Sequence, residues 1–160
     1  IQAQMLEECY DIVIEANSLS SLVETKGWDI SYGKGGKEKY NKYKEISQTV
    51  IGVIGNFNKG KSFILQKLSG QKISQGYSVS TKGLSIKYPE IDNKPLSIMD
   101  TEGFETPLKF KDNFKYDLNA NLSEELKDRT HTEIFLQKYV ISHSDILLVV
   151  VGSLTYSDQK

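Results

Sequence analysis

The chain has 160 residues and a mass of 18.1 kDa, enough for one domain with a hydrophobic core. Its 20 basic and 21 acidic side chains nearly cancel, which excludes the basic surface of a nucleic-acid-binding module. The single cysteine, Cys9, excludes an internal disulfide and a thiolate metal cage, and favours a reducing compartment such as the cytoplasm. The longest aliphatic run, Ile146 to Val151, is far shorter than the roughly 20 residues of a membrane-spanning helix.

Residues 1–47 are predicted to form a lead-in, made of an N-terminal helix and an irregular or hairpin segment. Apolar residues between Met5 and Leu22 have helical spacing, which favours a helix. The alternation of Ile12 and Ile14 with polar neighbours would also suit a short strand. Glycines and interleaved lysines from Gly27 to Glu45 break any apolar period and indicate a loop or an irregular hairpin.

Strands and helices alternate from residue 48 onward. Thr49 to Ile54 is a continuous β-branched run, typical of a strand that is buried on both faces of a parallel sheet. Phe63 to Leu68, followed by a glycine, predicts a short helix. Leu84 to Tyr88 predicts a half-exposed strand, and Leu96 to Asp100 predicts a more buried one.

The last part of the chain predicts one more helix and strand. The helix begins near Ser123 or near Thr130, where Glu133 would complete a capping box. Asp145 to Val151 predicts another fully buried strand. This alternation predicts an α/β fold, a three-layer α/β/α sandwich with a mostly parallel sheet. Because the chain lacks an initial methionine and stops at Lys160 in an apparent helix start, residues 48–160 are expected to be the N-terminal part of a domain whose C-terminal part is missing.

A phosphate-binding loop is predicted between the first buried strand and the helix that follows it. The segment G-N-F-N-K-G-K-S fits the pattern G-x-x-x-x-G-K-[ST] of P-loop nucleoside triphosphatases. Its glycines let backbone N–H groups turn toward a phosphate, and the helix adds its positive end. Lys61 would place a charge between the β- and γ-phosphates, and the Ser62 hydroxyl would ligate Mg²⁺. The predicted phosphate-binding residues here are Gly55, Asn56, Phe57, Asn58, Lys59, Gly60, Lys61, Ser62 and Phe63.

Two later segments complete the predicted site. Asp100 ends a strand within D-T-E-G, where a carboxylate holds magnesium through a water molecule, and the amide of Gly103 can reach the γ-phosphate. Thr81 lies in a Gly/Ser-rich loop and can close the magnesium shell when the γ-phosphate is present. Lys61 and Thr81 are therefore the catalytic candidates, and Ser62, Thr81 and Asp100 are the metal candidates.

These segments carry a resemblance to a known family. GNFNKGKSFILQKLSG, TKG, DTEGF and IFLQKYVISHSDILLVVVG resemble the GTPase domain of dynamin-like large GTPases over residues 48–156, in particular the atlastin and guanylate-binding protein branch. The resemblance implies GTP binding, Mg²⁺-dependent hydrolysis, and a homodimer formed through the GTPase domains. It also implies a role in membrane remodelling or in defence against intracellular microbes, with membrane association through regions outside this chain. Carried over by position, it assigns Lys61, Ser62, Thr81, Asp100 and Gly103 to the phosphate loop and the two switches.

The sequence departs from that branch at Asn58 and, like the branch, differs from small GTPases at Phe104. Asn58 stands where members of the branch carry an arginine finger, a residue worth about 10³ to 10⁵ in rate. Arg129, the only arginine, could swing in, Lys59 could substitute in part, or a partner could supply the finger. Phe104 follows D-T-E-G in place of the glutamine that orients water in small GTPases.

Three functions are compatible with these residues: a GTP hydrolase, a nucleotide-dependent interaction module with little hydrolysis, and an ATPase of the same fold. The motif that reads guanine is expected beyond Lys160, so guanine as the base follows from the resemblance alone.

Overall fold

A computed structural model describes residues 9–16, 18–23, 27–56, 59–70, 83–89, 91, 94–103 and 120–151. These ranges contain six strands and four helices, numbered here in chain order. The strands are β1 (Ile12–Glu15), β2 (Asp29–Tyr32), β3 (Thr49–Gly55), β4 (Leu84–Lys87), β5 (Leu96–Thr101) and β6 (Ile146–Val150). The helices are α1 (Ser20–Val23), α2 (Gly36–Tyr43), α3 (Lys61–Ser69) and α4 (Ala120–Ser142).

The strands form one sheet in the order β2-β1-β4-β5-β3-β6. β3 is parallel to β5 and β6, whereas the pairs β1–β2, β1–β4 and β4–β5 are antiparallel. The predicted α/β class is confirmed, but the sheet is mixed and not mostly parallel. The short connection over residues 88–95 can join β4 and β5 only as antiparallel neighbours, while parallel strands require longer crossovers.

Two apolar clusters cover the two faces of the sheet and give the predicted three layers. On one face, α3 contributes Leu65 to a cluster that contains Tyr10, Val13, Val53, Ile98 and Val150. On the other face, α4 contributes Leu136 and Val140 to a cluster with Ala16, Leu84 and Met99. Alternation along each strand therefore sends Ile98 and Asp100 toward α3, and Met99 and Thr101 toward α4.

The lead-in differs from its favoured prediction. A helix between Met5 and Leu22 is wrong over β1, where the alternative of a short strand is found. The loop or hairpin between Gly27 and Glu45 contains β2 and also helix α2. Helix α2 shows no apolar period because only Gly36 and Tyr43 are buried in it. Packing against β1 and the residue that follows β4 stabilises this helix, since Tyr43 lies in a cluster with Ile12 and Tyr88.

The last helix and strand also differ in detail. Helix α4 is continuous, so Thr130 is not a capping residue; its hydroxyl donates to the carbonyl of Leu126 within the helix. The prediction that the last strand is fully buried is wrong, because Ile146, Leu147 and Val149 of β6 are 48%, 38% and 58% exposed. In the described part of the chain β6 pairs only with β3 and lies at the edge of the sheet. Within the same ranges, no helix combines the length and the apolar character needed to cross a bilayer.

Candidate phosphate-binding site

The start of helix α3 has the backbone of an anion site. Gly60 precedes the helix in a left-handed conformation with φ of 89°, and a Cβ at this position would meet open space. The requirement for glycine is therefore conformational, as the sequence predicted. No side chain in the described ranges caps this helix end. The N–H groups of its first turn can therefore bind an anion.

Lys61, the first residue of α3, connects the two predicted motifs. Its side chain is 5% exposed, and its ammonium donates to the carbonyl oxygen of Asn56 at 2.9 Å. The same Nζ donates to the carbonyl oxygen of Glu102 at 3.3 Å. Lys61 and Glu102 are 41 residues apart along the chain. The phosphate loop and the D-T-E-G segment nevertheless meet at the ammonium group of Lys61.

The environment of Lys61 shifts its pKa. Burial lowers the pKa of the Lys61 ammonium, and the carboxylates of Asp100 and Glu102 partly offset that effect. A buried cation with little water around it interacts strongly with any anion that reaches it. The position thus suits the recognition of a phosphate group.

Asp100 is fully buried near the end of β5. Its Oδ2 accepts a hydrogen bond from the Tyr10 hydroxyl at 2.5 Å. Ser85 of β4 lies opposite Asp100 in the antiparallel register, so both side chains are on the same face. The Ser85 hydroxyl is buried and has no hydrogen-bond partner in the described part of the chain. A buried hydroxyl beside a carboxylate fits a hydrated cation, because it can bond to water held there.

Two glycines shape the loops around these side chains. Gly103 has φ of 102°, a conformation that favours glycine after the strand end. Gly55 has φ of 149°, and a Cβ there would overlap the carbonyl oxygen of Val150 in β6. The predicted reason for Gly55 was the turn of the phosphate loop, whereas its close approach to β6 also requires glycine.

Arg129 lies beside the second motif, despite its distance along the sequence. Its Nη2 is 3.1 Å from the Glu102 carboxylate, and its Nε is 3.4 Å from Glu133 in the next turn of α4. The guanidinium is therefore held between two acidic side chains next to Gly103. Arg129, Glu102 and Gly103 line one shallow pocket on the α4 side of the sheet.

The structure brings part of the predicted site together. Lys61 contacts Asn56 and lies close enough to Asp100 for the carboxylate to affect its pKa. Lys59 is exposed in the loop before α3, and Phe63 is exposed with the Lys67 ammonium 5.4 Å from its ring centre. Phe57, Asn58, Thr81, Phe104 and the side chain of Ser62 lie outside the described residues. Their roles stay predictions.

Tyr10 is the residue that sequence reasoning missed. It is 90 residues away from Asp100 along the chain, in the lead-in that precedes the phosphate loop. No motif includes it, and its aromatic character alone indicates a core position. Only the packing of the lead-in onto the sheet reveals its contact.

The donor set fits a phosphate and a hard cation. Lys61 and the start of α3 supply positive charge for phosphate oxygens, and Asp100 supplies the oxygen ligand type that Mg²⁺ prefers. Among the described residues, no group of three or more acidic, histidine or cysteine side chains could hold a metal by itself. Magnesium commonly completes its shell with phosphate oxygens and waters, so one carboxylate is compatible with such a site.

A buried strand, a glycine-bounded loop, a helix that begins at a buried lysine and a strand-end aspartate define a P-loop nucleotide-binding fold. Residues 50–160 match the model of a family described as 50S ribosome-binding GTPase. The chain belongs to this family of P-loop GTPases, whose members generally use GTP and Mg²⁺.

The chain is also similar to a protein of Dictyostelium discoideum described as a heat shock protein. The two are 29% identical over 167 aligned residues, which cover 94% of this chain. The alignment covers 23% of the Dictyostelium protein, so the chain spans about a quarter of that relative's length.

Proposed function

We propose that this domain binds GTP with Mg²⁺ and hydrolyses it. The observation that carries the proposal is the contact of Lys61 with both Asn56 and Glu102. This contact joins the phosphate loop to the second motif around one buried ammonium. Membership of a GTPase family supports guanine, and not adenine, as the base.

Each site residue has a proposed part in the reaction. Lys61 binds the β- and γ-phosphates, and the amide of Gly103 contacts the γ-phosphate. Asp100 would hold Mg²⁺ through water, and the hydroxyls of Ser62 and Thr81 would supply direct ligands. Bound Mg²⁺ would offset the charge on the phosphate oxygens. Rate acceleration then comes from positioning an attacking water and from electrostatic stabilisation by fixed positive groups.

The finer assignment is to the dynamin-like large GTPases, in the atlastin and guanylate-binding protein branch. It is supported by the motif resemblance over residues 48–156 and carries three further proposals. The domain forms a nucleotide-dependent homodimer, it is located in the cytoplasm, and regions outside this chain bring the protein to a membrane surface.

A second candidate is a nucleotide-dependent interaction module that hydrolyses GTP slowly. The pairing of Arg129 with Glu102 and Glu133 favours it, because a guanidinium that is already bound by two carboxylates is not free to stabilise a transition state. Asn58 also stands at the phosphate-loop position where members of the branch carry an arginine. In this alternative, the switch segments that contain Thr81 and Gly103 change conformation with the bound nucleotide, and this change forms or breaks the surface through which two domains pair.

The test compares two lysines of the same helix in the full-length protein. Lys61→Ala removes the proposed phosphate contact, and Lys67→Ala removes an exposed lysine of α3 as the control. A hydrogen bond to a charged group is worth about 1.5 to 3 kcal/mol, so Lys61→Ala should weaken binding of a fluorescent GTP analogue about 10- to 100-fold. Equal affinity in wild type and Lys61→Ala would contradict nucleotide binding at this loop.

Single-turnover hydrolysis then separates the two candidates. If wild type is no faster than Lys61→Ala at any protein concentration, the interaction module is favoured over the enzyme. A rate that rises with protein concentration would support hydrolysis coupled to dimerisation.

A further inference from the structure

Tyr10 and Asp100 join the lead-in to the proposed nucleotide site. We propose that Tyr10 is a positioning residue for magnesium, which acts by fixing the direction of the Asp100 carboxylate. This inference rests on the proposed function, because it assumes that Asp100 is associated with Mg²⁺. It assigns to residues 1–47 a part in the site that the motifs do not indicate.

The contact itself has the geometry of a strong hydrogen bond. The Tyr10 hydroxyl donates to Asp100 Oδ2 at 2.5 Å, within the usual range of an O–H group that donates to a carboxylate. Both side chains are buried, with Tyr10 5% exposed and Asp100 fully enclosed. Little water can therefore compete for either partner, which strengthens the bond.

The position of the Tyr10 hydroxyl is determined by packing. Its ring lies in the apolar cluster between the sheet and α3, with Val53 and Leu65. A buried aromatic ring surrounded by such side chains has few accessible rotamers. The hydroxyl is therefore held at Asp100 by the core and not only by the hydrogen bond.

The backbone at Tyr10 is anchored as well. The next residue, Asp11, donates its N–H to the carbonyl of Ile86 at 3.0 Å, and its Oδ2 accepts the N–H of Tyr88 at 2.7 Å. Both partners belong to β4 or directly follow it, and β4 is the antiparallel neighbour of β5, which carries Asp100. The lead-in thus approaches the site along the strand next to Asp100.

A fixed carboxylate should bind a cation better than a mobile one. With Oδ2 bound to Tyr10, the Asp100 carboxylate loses rotational freedom, so its direction toward the site is set before the metal arrives. Hydrogen bonds that orient metal-associated groups typically change metal affinity by about 10- to 100-fold. Tyr10 should therefore act on the metal and not on the nucleotide itself.

The test uses Tyr10→Phe in the full-length protein, which removes the hydroxyl and keeps the ring in its cluster. Tyr43→Phe is the matched control, because it removes a hydroxyl from another buried tyrosine in a different apolar cluster. Binding of a fluorescent GDP analogue is titrated with MgCl₂, and binding is also measured in EDTA. The expected result for Tyr10→Phe is a rise of about 10-fold or more in the half-saturating Mg²⁺ concentration, with unchanged affinity in EDTA.

Two outcomes would overturn the role of Tyr10 while leaving the proposed function in place. One is an unchanged half-saturating Mg²⁺ concentration in Tyr10→Phe. The other is an equal loss of affinity with and without Mg²⁺, which would mean that the tyrosine supports only the fold. A wild-type protein whose nucleotide binding ignores Mg²⁺ would instead overturn the proposed function, and with it this inference.

Discussion

The sheet has an antiparallel half, β2-β1-β4, and a parallel half, β5-β3-β6. Among the described residues, one buried aspartate lies in or beside each half, and the two are held by different partners. Asp11 belongs to the antiparallel half and is 2% exposed, while Asp100 belongs to the parallel half and is fully buried. The ammonium groups of Lys87 and Lys39 each lie 3.3 Å from Asp11 Oδ1. The same carboxylate also accepts the N–H of Tyr88 at 2.7 Å. Asp100 instead accepts the Tyr10 hydroxyl and lies beside Lys61 at the end of β5.

The difference separates a structural charge from a charge that serves a site. Two lysine side chains compensate the charge of Asp11, so the lead-in is bound to β4 without any ligand. Asp100 is at the carboxyl end of a parallel strand, the edge where open α/β sheets bind ligands. Topology, and not the residue type, therefore decides which aspartate serves the proposed site.

The largest expected effect tests the structural role of Asp11. Asp11→Ala would leave Lys87 buried without its carboxylate, and breaking a buried ion pair from one side costs about 3 to 5 kcal/mol. The free energy of unfolding, measured by urea denaturation, should fall by that amount. Asp29→Ala in exposed β2 is the control and should change stability by less than about 0.5 kcal/mol. Equal effects of the two substitutions would show that the Asp11 cluster does not stabilise the lead-in.

A smaller effect is expected where helix α2 meets β1. A Cβ at Gly36 would overlap the backbone carbonyl of Asp11, so Gly36→Ala must push the helix away from the strand. Overpacking of this kind costs about 1 to 3 kcal/mol. Gly35→Ala is an informative comparison, because Gly35 has open space around it and a φ of 72°. Its cost should be only that of the left-handed backbone, about 1 kcal/mol.

Thermal unfolding of both glycine variants, followed by circular dichroism, would measure this difference. If Gly36→Ala is no less stable than Gly35→Ala, close packing of α2 on β1 is not what holds the lead-in.

The smallest effect is expected for Arg129 of helix α4, which pairs with Glu102 of the D-T-E-G segment. Arg129→Gln removes the ion pairs of Arg129 with Glu102 and Glu133, and the three side chains are 28%, 17% and 16% exposed, respectively. A partly exposed pair contributes about 0.2 to 1 kcal/mol, and salt screens it. The stability difference from wild type should therefore shrink when urea unfolding is repeated at about 1 M NaCl, where the Debye length is near 3 Å. A loss that salt does not change would assign the effect of Arg129 to packing.

Local sequence was sufficient for the phosphate loop and for the class of fold. The β-branched run of β3, the glycine and lysine pattern after it and the strand that ends near Asp100 are short-range features. Backbone conformation at Gly60 and the start of α3 follow from neighbouring residues. A pattern of this kind can be read without knowing what packs against it.

The lead-in could not be read in the same way, because its structure depends on distant partners. Four residues of β1 become a strand by pairing with β2 and β4, and α2 has too few buried positions to show a helical period. The start of helix α4 was ambiguous between Ser123 and Thr130, because Thr130 resembled a cap, and the observed helix Ala120–Ser142 agrees with the first of these starts. Propensity over a few residues is a weak signal that tertiary pairing overrides.

The sequence by itself determined a P-loop α/β fold and placed Lys61, Asp100 and Gly103 in one proposed site. Only the tertiary structure decided that Tyr10 bonds to Asp100 and that Arg129 pairs with Glu102. The physical reason is the range of the interactions. Glycine conformation and helix starts are set within a few residues, whereas a buried hydroxyl finds its acceptor 90 residues away only after the sheet has formed.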